Sequence, residues 1–177
     1  MHKEDSKYLV IDASVFKAAG ETSKNNDSKN CRDILTQVMK ICHKVVVTDE
    51  LSEEINNHSS RFSRKWRTAM TGKKKHKIIK LDSSNQKNLN SLIESSVKSE
   101  KQRMAMIKDA HLLNAASSED KIIVSLDEEA KSNFQSIINR LKDYKEIMWV
   151  NPTINIEPTI EWLRKGAKPD KRLMLKS

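Results

Sequence analysis

Residues 7–12, KYLVID, form a short apolar run that ends on a charged residue. Tyr8 to Ile11 are large apolar side chains, and Asp12 follows where the pattern requires one more apolar residue. The same arrangement recurs in residues 121–127, KIIVSLD, where the run that begins at Ile122 ends on Asp127. Runs of this length rich in β-branched residues are typical of buried strands. We therefore expect two buried strands, each followed by an aspartate.

Other strand-like runs alternate with helical patterns along the chain. The further predicted strands are 44–48, 76–81 and 146–150, and the longer amphipathic patterns predict helices over 31–43, 49–58, 83–97, 101–116 and 128–142. A polar loop is expected over 19–30. Such alternation is typical of a parallel sheet covered by helices. We predict an α/β fold, a three-layer α/β/α sandwich with a central, mostly parallel sheet of about five strands.

The length and the prolines indicate how the chain is organised. At 177 residues the chain is long enough for one domain with a proper core. All three prolines, Pro152, Pro158 and Pro169, fall in the last 26 residues. We therefore predict a main domain over residues 1–151 and an appended tail over 152–177 with one short helix about Trp162.

The positive charge is concentrated in one segment. The net charge is +9, and nine cationic residues lie between Glu54 and Asp82, a stretch with no acid; the remaining 24 balance the 24 acids. A concentrated basic patch with an aromatic residue is typical of a nucleic-acid binder. The predicted contacts are Arg61, Arg64, Lys65, Trp66, Arg67, Lys73, Lys74 and Lys75. A solvated helix face, a membrane surface or an acidic partner protein would explain the same charges, and a helical tryptophan is more often part of the core.

Several kinds of site are excluded or disfavoured. The chain has only three glycines, so neither common glycine-rich phosphate loop can be written. The five histidines are scattered without metal-ligand spacing, which argues against a zinc site. The N-terminus lacks the apolar core of a signal peptide, no run approaches the ~20 residues of a membrane span, and no membrane partner is expected. The simplest expectation is a cytoplasmic protein.

Acidic residues at predictable positions are the remaining candidates for chemistry. Ligands of open parallel sheets bind at the carboxyl ends of the strands, where Asp12 and Asp127 are expected. Asp109 falls in the centre of the apolar stripe of its helix, and Glu54 lies near the start of the helix after the second strand, where Glu53 and Glu50 compete for its role. Converging carboxylates repel one another, and a hard divalent cation, Mg²⁺ or Mn²⁺, is the usual relief.

Each acid also has an ordinary structural explanation. Asp12 and Asp127 are each placed to cap the helix that follows, and a lone Glu54 is more often a solvated helix residue. Asp109 would be satisfied by a buried salt bridge to a lysine or arginine. The four together nevertheless favour a site, since all of them fall at one predicted edge of the sheet.

These segments, taken in order, resemble the PIN-domain nuclease family of bacterial and archaeal proteins. VIDASVF is similar to its first block, with Asp12 as the first acid and Ser14 two residues on. VVTDELSEEI aligns Glu54 with the second acid, KDAHLLNAA aligns Asp109 with the third, and IIVSLDEEA aligns Asp127 with the fourth, preceded by Ser125. The resemblance covers residues 7 to 151. The basic segment, about 59–99, is longer than in compact PIN toxins, and the tail is additional.

The resemblance implies a nuclease that hydrolyses phosphodiester bonds, most often as an endoribonuclease on RNA. Asp12, Glu54, Asp109 and Asp127 would hold Mg²⁺ or Mn²⁺, with Ser14 and Ser125 in support. Single-stranded DNA is the alternative substrate. The other hypotheses are a non-catalytic module that binds nucleic acid or protein, and the toxin of a toxin–antitoxin pair with a protein partner. A homodimer is compatible with each.

Overall fold

Five strands form one all-parallel sheet in the computed structural model, which describes residues 6–20 and 26–176. The strands are β1 (Tyr8–Ile11), β2 (Lys44–Val47), β3 (His76–Ile78), β4 (Ile122–Val124) and β5 (Met148–Val150). Their order in the sheet is β3-β2-β1-β4-β5, and every neighbouring pair is parallel. The predicted α/β fold with a parallel sheet of about five strands is confirmed.

Eight helices flank the sheet in the described part of the chain. They are α1 (Ala13–Ala18), α2 (Asn26–Lys40), α3 (Asp49–His58), α4 (Arg61–Gly72), α5 (Ser83–Ser96), α6 (Glu100–Ser117), α7 (Glu128–Ser136) and α8 (Ile156–Arg164). Helix α2 packs against α1, α4 and α8, and α6 packs against α5 and α7. The connections from β1 to β2 and from β2 to β3 run towards one edge of the sheet, whereas the connection from β4 to β5 runs towards the other edge. Because crossovers between parallel strands are right-handed, connections that run in opposite directions lie on opposite faces. The helices therefore cover both faces.

Hydroxyl and carboxylate side chains define where several helices begin. Thr48 accepts a hydrogen bond from the backbone N–H of Leu51 at the start of α3, and Ser60 and Asp82 make equivalent caps for α4 and α5. Each cap satisfies one backbone donor that the first helical turn leaves unpaired. The cap at Thr48 matters for function, because it starts α3 directly after β2 and so places the acids of α3 near the carboxyl edge of the sheet.

Two helices have different bounds from those predicted. Helix α2 begins at Asn26, within the expected loop 19–30, of which residues 21–25 lie outside the described residues. Asp27 lies in its first turn, where the helix dipole favours an acid. Helix α7 ends at Ser136 instead of 142. Ile137 and Ile138 follow as two adjacent β-branched residues, which lose side-chain freedom in a helix; they stay buried in a chain of turns.

The C-terminal segment packs onto the same hydrophobic core as the sheet. The His43 Nε2 atom lies 2.8 Å from the carbonyl oxygen of Leu163 in α8. Leu163 and Leu175 belong to the buried core, and Met174 forms an antiparallel bridge with Met148 of β5. The short helix expected about Trp162 is present as α8.

Trp66 is part of the core. It is 3% exposed, its ring lies 5.6 Å from that of Phe16, and its indole N–H donates to the carbonyl oxygen of Leu35. A base cannot stack on an aromatic ring that is covered on both faces. The prediction that Trp66 contacts nucleic acid is therefore wrong, because the side chain lies on the buried face of an otherwise basic helix.

The strand order places the two strand-ending aspartates side by side. The chain passes from β1 to β2 on one side, whereas β4 and β5 lie on the other side of β1. The boundary between β1 and β4 is therefore the switch point of the sheet, where open α/β sheets bind their ligands. The backbone N–H of Asp12 donates to the carbonyl oxygen of Val124, 2.9 Å away, which ties the ends of the two strands together.

No helix among the described residues is long and apolar enough to cross a membrane.

Candidate functional site

Two serine hydroxyls hold the carboxylate of Asp12. Ser14 and Ser125 both donate to Oδ2 of Asp12, at 2.5 Å and 2.7 Å. Ser125 follows β4 and is fully buried, whereas Ser14 lies in the first turn of α1. Asp12 occupies the cap position of α1, but its side chain makes no capping bond, so the simple capping explanation does not apply. The carboxylate is instead held across the switch point from both strands.

The backbone determines the direction in which these hydroxyls donate. The Ser14 oxygen accepts from the N–H of Leu126, 3.2 Å away, and the Ser125 oxygen accepts from the N–H of Asp127, 3.0 Å away. Because each oxygen already accepts a backbone proton, its own proton is directed to Asp12. Both serines therefore connect Asp12 to the loop that carries Asp127.

Loss of the Ser125 hydroxyl is expected to lower activity more than stability. In the Ser125→Ala variant Asp12 keeps only one of its two hydroxyl donors, and the N–H of Asp127 loses its acceptor. Loss of such an orienting partner typically costs 10- to 100-fold in activity or metal affinity, so we expect the variant to reduce the nuclease activity proposed below about 10- to 100-fold. The matched control is Ser63→Ala, another fully buried serine, whose hydroxyl donates to the carbonyl oxygen of Phe16. Equal loss of activity in both variants would contradict the role given to Ser125.

Asp127 both caps a helix and faces solvent. Its Oδ1 accepts from the N–H of Ala130 at 2.7 Å, so the predicted alternative of an N-cap for α7 is correct for one of its two oxygens. The residue is exposed. A carboxylate held in this way by a helix start keeps its orientation while remaining accessible to a substrate or an ion.

Asp109 is the acid whose environment is the most unfavourable for a charge. It is half-buried on α6, and burial raises its pKa to about 7. The negative charges of Asp12, Asp127 and Glu54 also raise the pKa of Asp109, while Lys108 opposes them. No hydrogen bond from a described residue contributes to this pKa. Asp12, Asp127 and Glu54 thus each lie close enough to act electrostatically on Asp109.

Glu54 is the acid of α3 that belongs to this group. It is half-buried, whereas Glu53 and Glu50 are exposed, so Glu54 is the better candidate of the three. Its Oε1 lies 3.5 Å from Nζ of Lys108, a lysine whose side chain is mostly exposed. Glu54 therefore has a cation within ion-pair distance, whereas no described cation lies that close to Asp109. The cleft around Glu54, between α3, α5 and α6, has a volume of about 360 Å³.

His111 is a residue of this region that the sequence reasoning missed. It is 4% exposed, and its Nε2 lies 3.9 Å from Oε2 of Glu54. Burial lowers its pKa, the charges of Glu54, Glu50 and Asp12 oppose this, and its Nδ1 has no hydrogen-bond partner among the described residues. The sequence does contain an indication of its burial, because His111 begins the largely apolar stretch HLLNAA. The spacing between the histidines, which argues only about zinc sites, does not reveal it.

The candidate acids are of the type that binds a divalent cation, but their side chains are not arranged around one point. Carboxylate oxygens are the ligands that Mg²⁺ and Mn²⁺ prefer, and the unpaired, half-buried Asp109 is the kind of group that such an ion would satisfy. Within residues 6–20 and 26–176, however, no three His, Cys, Asp or Glu side chains are arranged as a group that could hold a metal ion. The described residues therefore match a divalent cation in type and charge but not in their arrangement.

The basic residues do not all lie near the acids. Arg61, Arg64 and Lys65 are exposed in the first turns of α4, whose start packs beside the end of α1 through Ser60. Lys73, Lys74 and Lys75 precede β3 and therefore lie at the amino edge of the sheet, opposite the carboxylates.

At least three of the cations predicted to bind nucleic acid make contacts within the protein. One of them is Arg64, which is exposed but donates to the carbonyl oxygen of Ser59, 3.0 Å away. The ammonium group of Lys75 donates to the carbonyl oxygens of Met39 and Ile41 at the end of α2, and burial lowers the pKa of Lys75. The guanidinium group of Arg67 donates to Oδ1 of Asn56 at 2.7 Å. These two side chains therefore hold helices in place, and the exposed cations are better placed to contact a ligand.

No protein-family model matches the chain, and no curated protein matches it significantly.

Proposed function

We propose that the protein is a metal-dependent nuclease that hydrolyses phosphodiester bonds of RNA. The observation that carries this proposal is that Asp12, Asp127 and Glu54 all act electrostatically on the half-buried Asp109, near the switch point of an all-parallel sheet. Lys108, which lies 3.5 Å from Glu54, is the cation that lowers the pKa of Asp109 against these acids. The order and spacing of the sequence blocks that resemble PIN-domain nucleases support the same activity.

Asp12, Asp109 and Asp127 would hold Mg²⁺ or Mn²⁺, with Glu54 at the side of α3. When bound, such an ion lowers the pKa of a coordinated water and offsets the charge that develops on the phosphate. Ser14 and Ser125 would keep the Asp12 carboxylate oriented for this purpose. With its pKa raised to about 7, Asp109 holds a proton on its carboxyl group in a large fraction of metal-free molecules at neutral pH.

The first turns of α4 are the proposed contact for the RNA backbone. Alanine at both Arg64 and Lys65 is expected to weaken RNA binding and to make the slope of log affinity against log salt shallower by about 0.7 for each lost phosphate contact. Both residues are exposed, so the fold is expected to tolerate the change. Binding is measured by titration at several salt concentrations in a chelator.

The double variant Lys73→Ala, Lys74→Ala is the matched control, because it removes the same charge from the amino edge of the sheet. It should leave the salt dependence closer to that of the wild type. A larger effect from Lys73 and Lys74 than from Arg64 and Lys65 would place the RNA away from the carboxylates.

The proposal is tested by incubating the protein with a panel of RNA and single-stranded DNA substrates, with Mn²⁺, with Mg²⁺ and with chelator. We expect RNA cleavage that requires a divalent ion. Salt-sensitive RNA binding without cleavage under any condition would favour the alternative of a non-catalytic binding module.

A further inference from the structure

A cavity lies at the edge of the sheet formed by the last strand, β5, next to the start of α7. It has a volume of about 290 Å³ and is formed by α7, the end of β5, α8 and the C-terminal segment. Its walls include Trp149, Ile154, Pro158, Trp162 and Leu173. Small-molecule sites begin at about 300 Å³, so the cavity is of a size to take one ring system and not a large ligand.

The cavity is close to electrically neutral. Lys131 on its wall lies 3.7 Å from a carboxylate oxygen of Glu128, and Arg172 lies 2.5 Å from a carboxylate oxygen of Asp170. Each cation of the wall is thus paired with an acid of the wall. A phosphate group would have to compete with these acids, whereas an uncharged ring would not. The charge balance therefore favours a neutral, planar ligand over an anionic one.

The unpaired indole N–H of Trp149 also favours a neutral heterocyclic ligand. Trp149 is 1% exposed, and its indole N–H has no hydrogen-bond partner among the described residues. Buried donors are normally paired, and an unpaired one calls for an explanation such as a ligand or a water molecule. A ring nitrogen or a carbonyl oxygen of a bound heterocycle would supply the missing acceptor.

The aromatic wall is held in position for stacking. Trp162 is half-buried, and its indole N–H donates to the carbonyl oxygen of Lys168 at 2.7 Å, which orients the ring. Ile154 and Pro158 are exposed apolar residues of the same wall. A rigid aromatic surface beside apolar groups is the usual platform for a base of single-stranded nucleic acid.

The cavity adjoins the acids through Asn151. This residue follows β5, and its amide nitrogen donates to Oε1 of Glu128 and to the carbonyl oxygen of Leu126. Glu128 is next to Asp127 in the chain and is also part of the cavity wall. The cavity therefore adjoins the start of α7, the helix that Asp127 caps.

We propose that this cavity binds one nucleobase of the RNA strand whose phosphodiester bond lies at the carboxylates. This proposal rests on the proposed function, because it takes RNA as the substrate. It adds to that function a subsite that binds one base. The base would stack in the aromatic wall and accept a hydrogen bond from Trp149, and the subsite would position the strand next to Asp127.

The test compares two oligonucleotides that carry the same phosphate charge. One is a ribose-methylated adenosine hexamer, and the other is the same backbone with abasic sugars; both are titrated against the full chain in chelator, where no hydrolysis occurs. We expect the wild type to bind the adenosine hexamer about tenfold more tightly than the abasic one, since stacking of a base is lost in the abasic chain. Equal affinity for the two oligomers would overturn the proposal.

Two variants with the same change in charge test whether the difference in affinity between the two hexamers arises in the cavity. Ile154→Glu places a carboxylate in the cavity wall and is expected to abolish the difference between the two oligomers. Ile78→Glu is the control, since Ile78 is also an exposed isoleucine, 67% exposed against 51% for Ile154, and lies on the opposite edge strand. It should retain the tenfold difference. Retention of that difference by Ile154→Glu would likewise overturn the proposal.

The binding assay tests the base-binding subsite, and the cleavage assay tests the nuclease activity, so either proposal can be contradicted without the other. A base-dependent affinity that Ile154→Glu removes, found in a protein that cleaves no RNA, would support the subsite and contradict the nuclease activity. Cleavage of RNA by a protein that binds both oligomers equally would support the nuclease activity and contradict the subsite.

Discussion

Replacing Asp12 by asparagine is expected to reduce RNA hydrolysis by at least about a hundredfold. The substitution preserves the shape of the side chain but removes the negative charge that both Ser14 and Ser125 are oriented to stabilise. Loss of a residue that merely orients a ligand costs about 10- to 100-fold, so loss of a direct ligand should cost more. The measurement is the initial rate of RNA cleavage at saturating Mn²⁺ and, separately, at Mg²⁺ concentrations high enough to compensate a weakened affinity.

The control for Asp12→Asn is Glu146→Gln, which changes the net charge equally. Glu146 is exposed and pairs with Lys121 just before β5, at the amino edge of the sheet, away from the candidate site. Its rate should equal that of the wild type. If Asp12→Asn cleaved as fast as Glu146→Gln, the carboxylates would not form the active site.

Replacing Asp109 by asparagine is expected to stabilise the metal-free protein at pH 8 by about 2 to 4 kcal/mol. The pKa of Asp109 is raised from 3.8 to about 7 by burial and by its acidic neighbours. Each unit of that difference corresponds to about 1.4 kcal/mol. Asparagine does not ionise, so it avoids the penalty that the wild type incurs when this carboxyl group loses its proton.

The pH dependence has a definite sign. Between about pH 4 and pH 7 the folded state holds a proton on Asp109 that the unfolded state has released, so the free energy of unfolding falls as the pH rises through this range. The stabilisation by Asp109→Asn should therefore be small at pH 4 and complete above pH 7. Urea unfolding in chelator at both pH values measures it. The control is Asp143→Asn, an exposed aspartate, for which a change within about 0.5 kcal/mol is expected at either pH.

A divalent cation should reverse the order of stability. Mn²⁺ would bind the folded wild type and raise its melting temperature, whereas Asp109→Asn should show a much smaller shift and little cleavage. A variant that is more stable without metal and inactive with it would identify Asp109 as a functional acid. Equal stability together with full activity would show that Asp109 is only a tolerated polar residue of α6.

Local sequence patterns are sufficient to predict the elements of this fold. The apolar runs that end at Asp12 and Asp127 are strands because β-branched residues fit a pleated, buried surface. The helical period of α6 places Asp109 in an apolar stripe, and Thr48 starts α3 as its cap. These predictions succeed because period and capping depend on residues within a few positions of one another.

The failures arise where a residue's surroundings come from distant parts of the chain. Trp66 lies in a basic segment, but its exposure depends on Leu35 and Phe16, to which no local pattern connects it. His111 has an isolated position in the sequence and becomes important only through its proximity to Glu54.

The composition of the candidate site is encoded locally, but its assembly follows from the strand order. Asp12 and Asp127 are separated by more than a hundred positions, and they meet because β4 pairs with β1 instead of with the strand before it in the chain. The parallel direction of β3 places Lys73 to Lys75 at the amino edge of the sheet, although in the sequence they belong to one basic segment with Arg61 and Arg64. Side-chain periodicity is a property of neighbouring residues, whereas the distance between charges is determined by how the whole core packs.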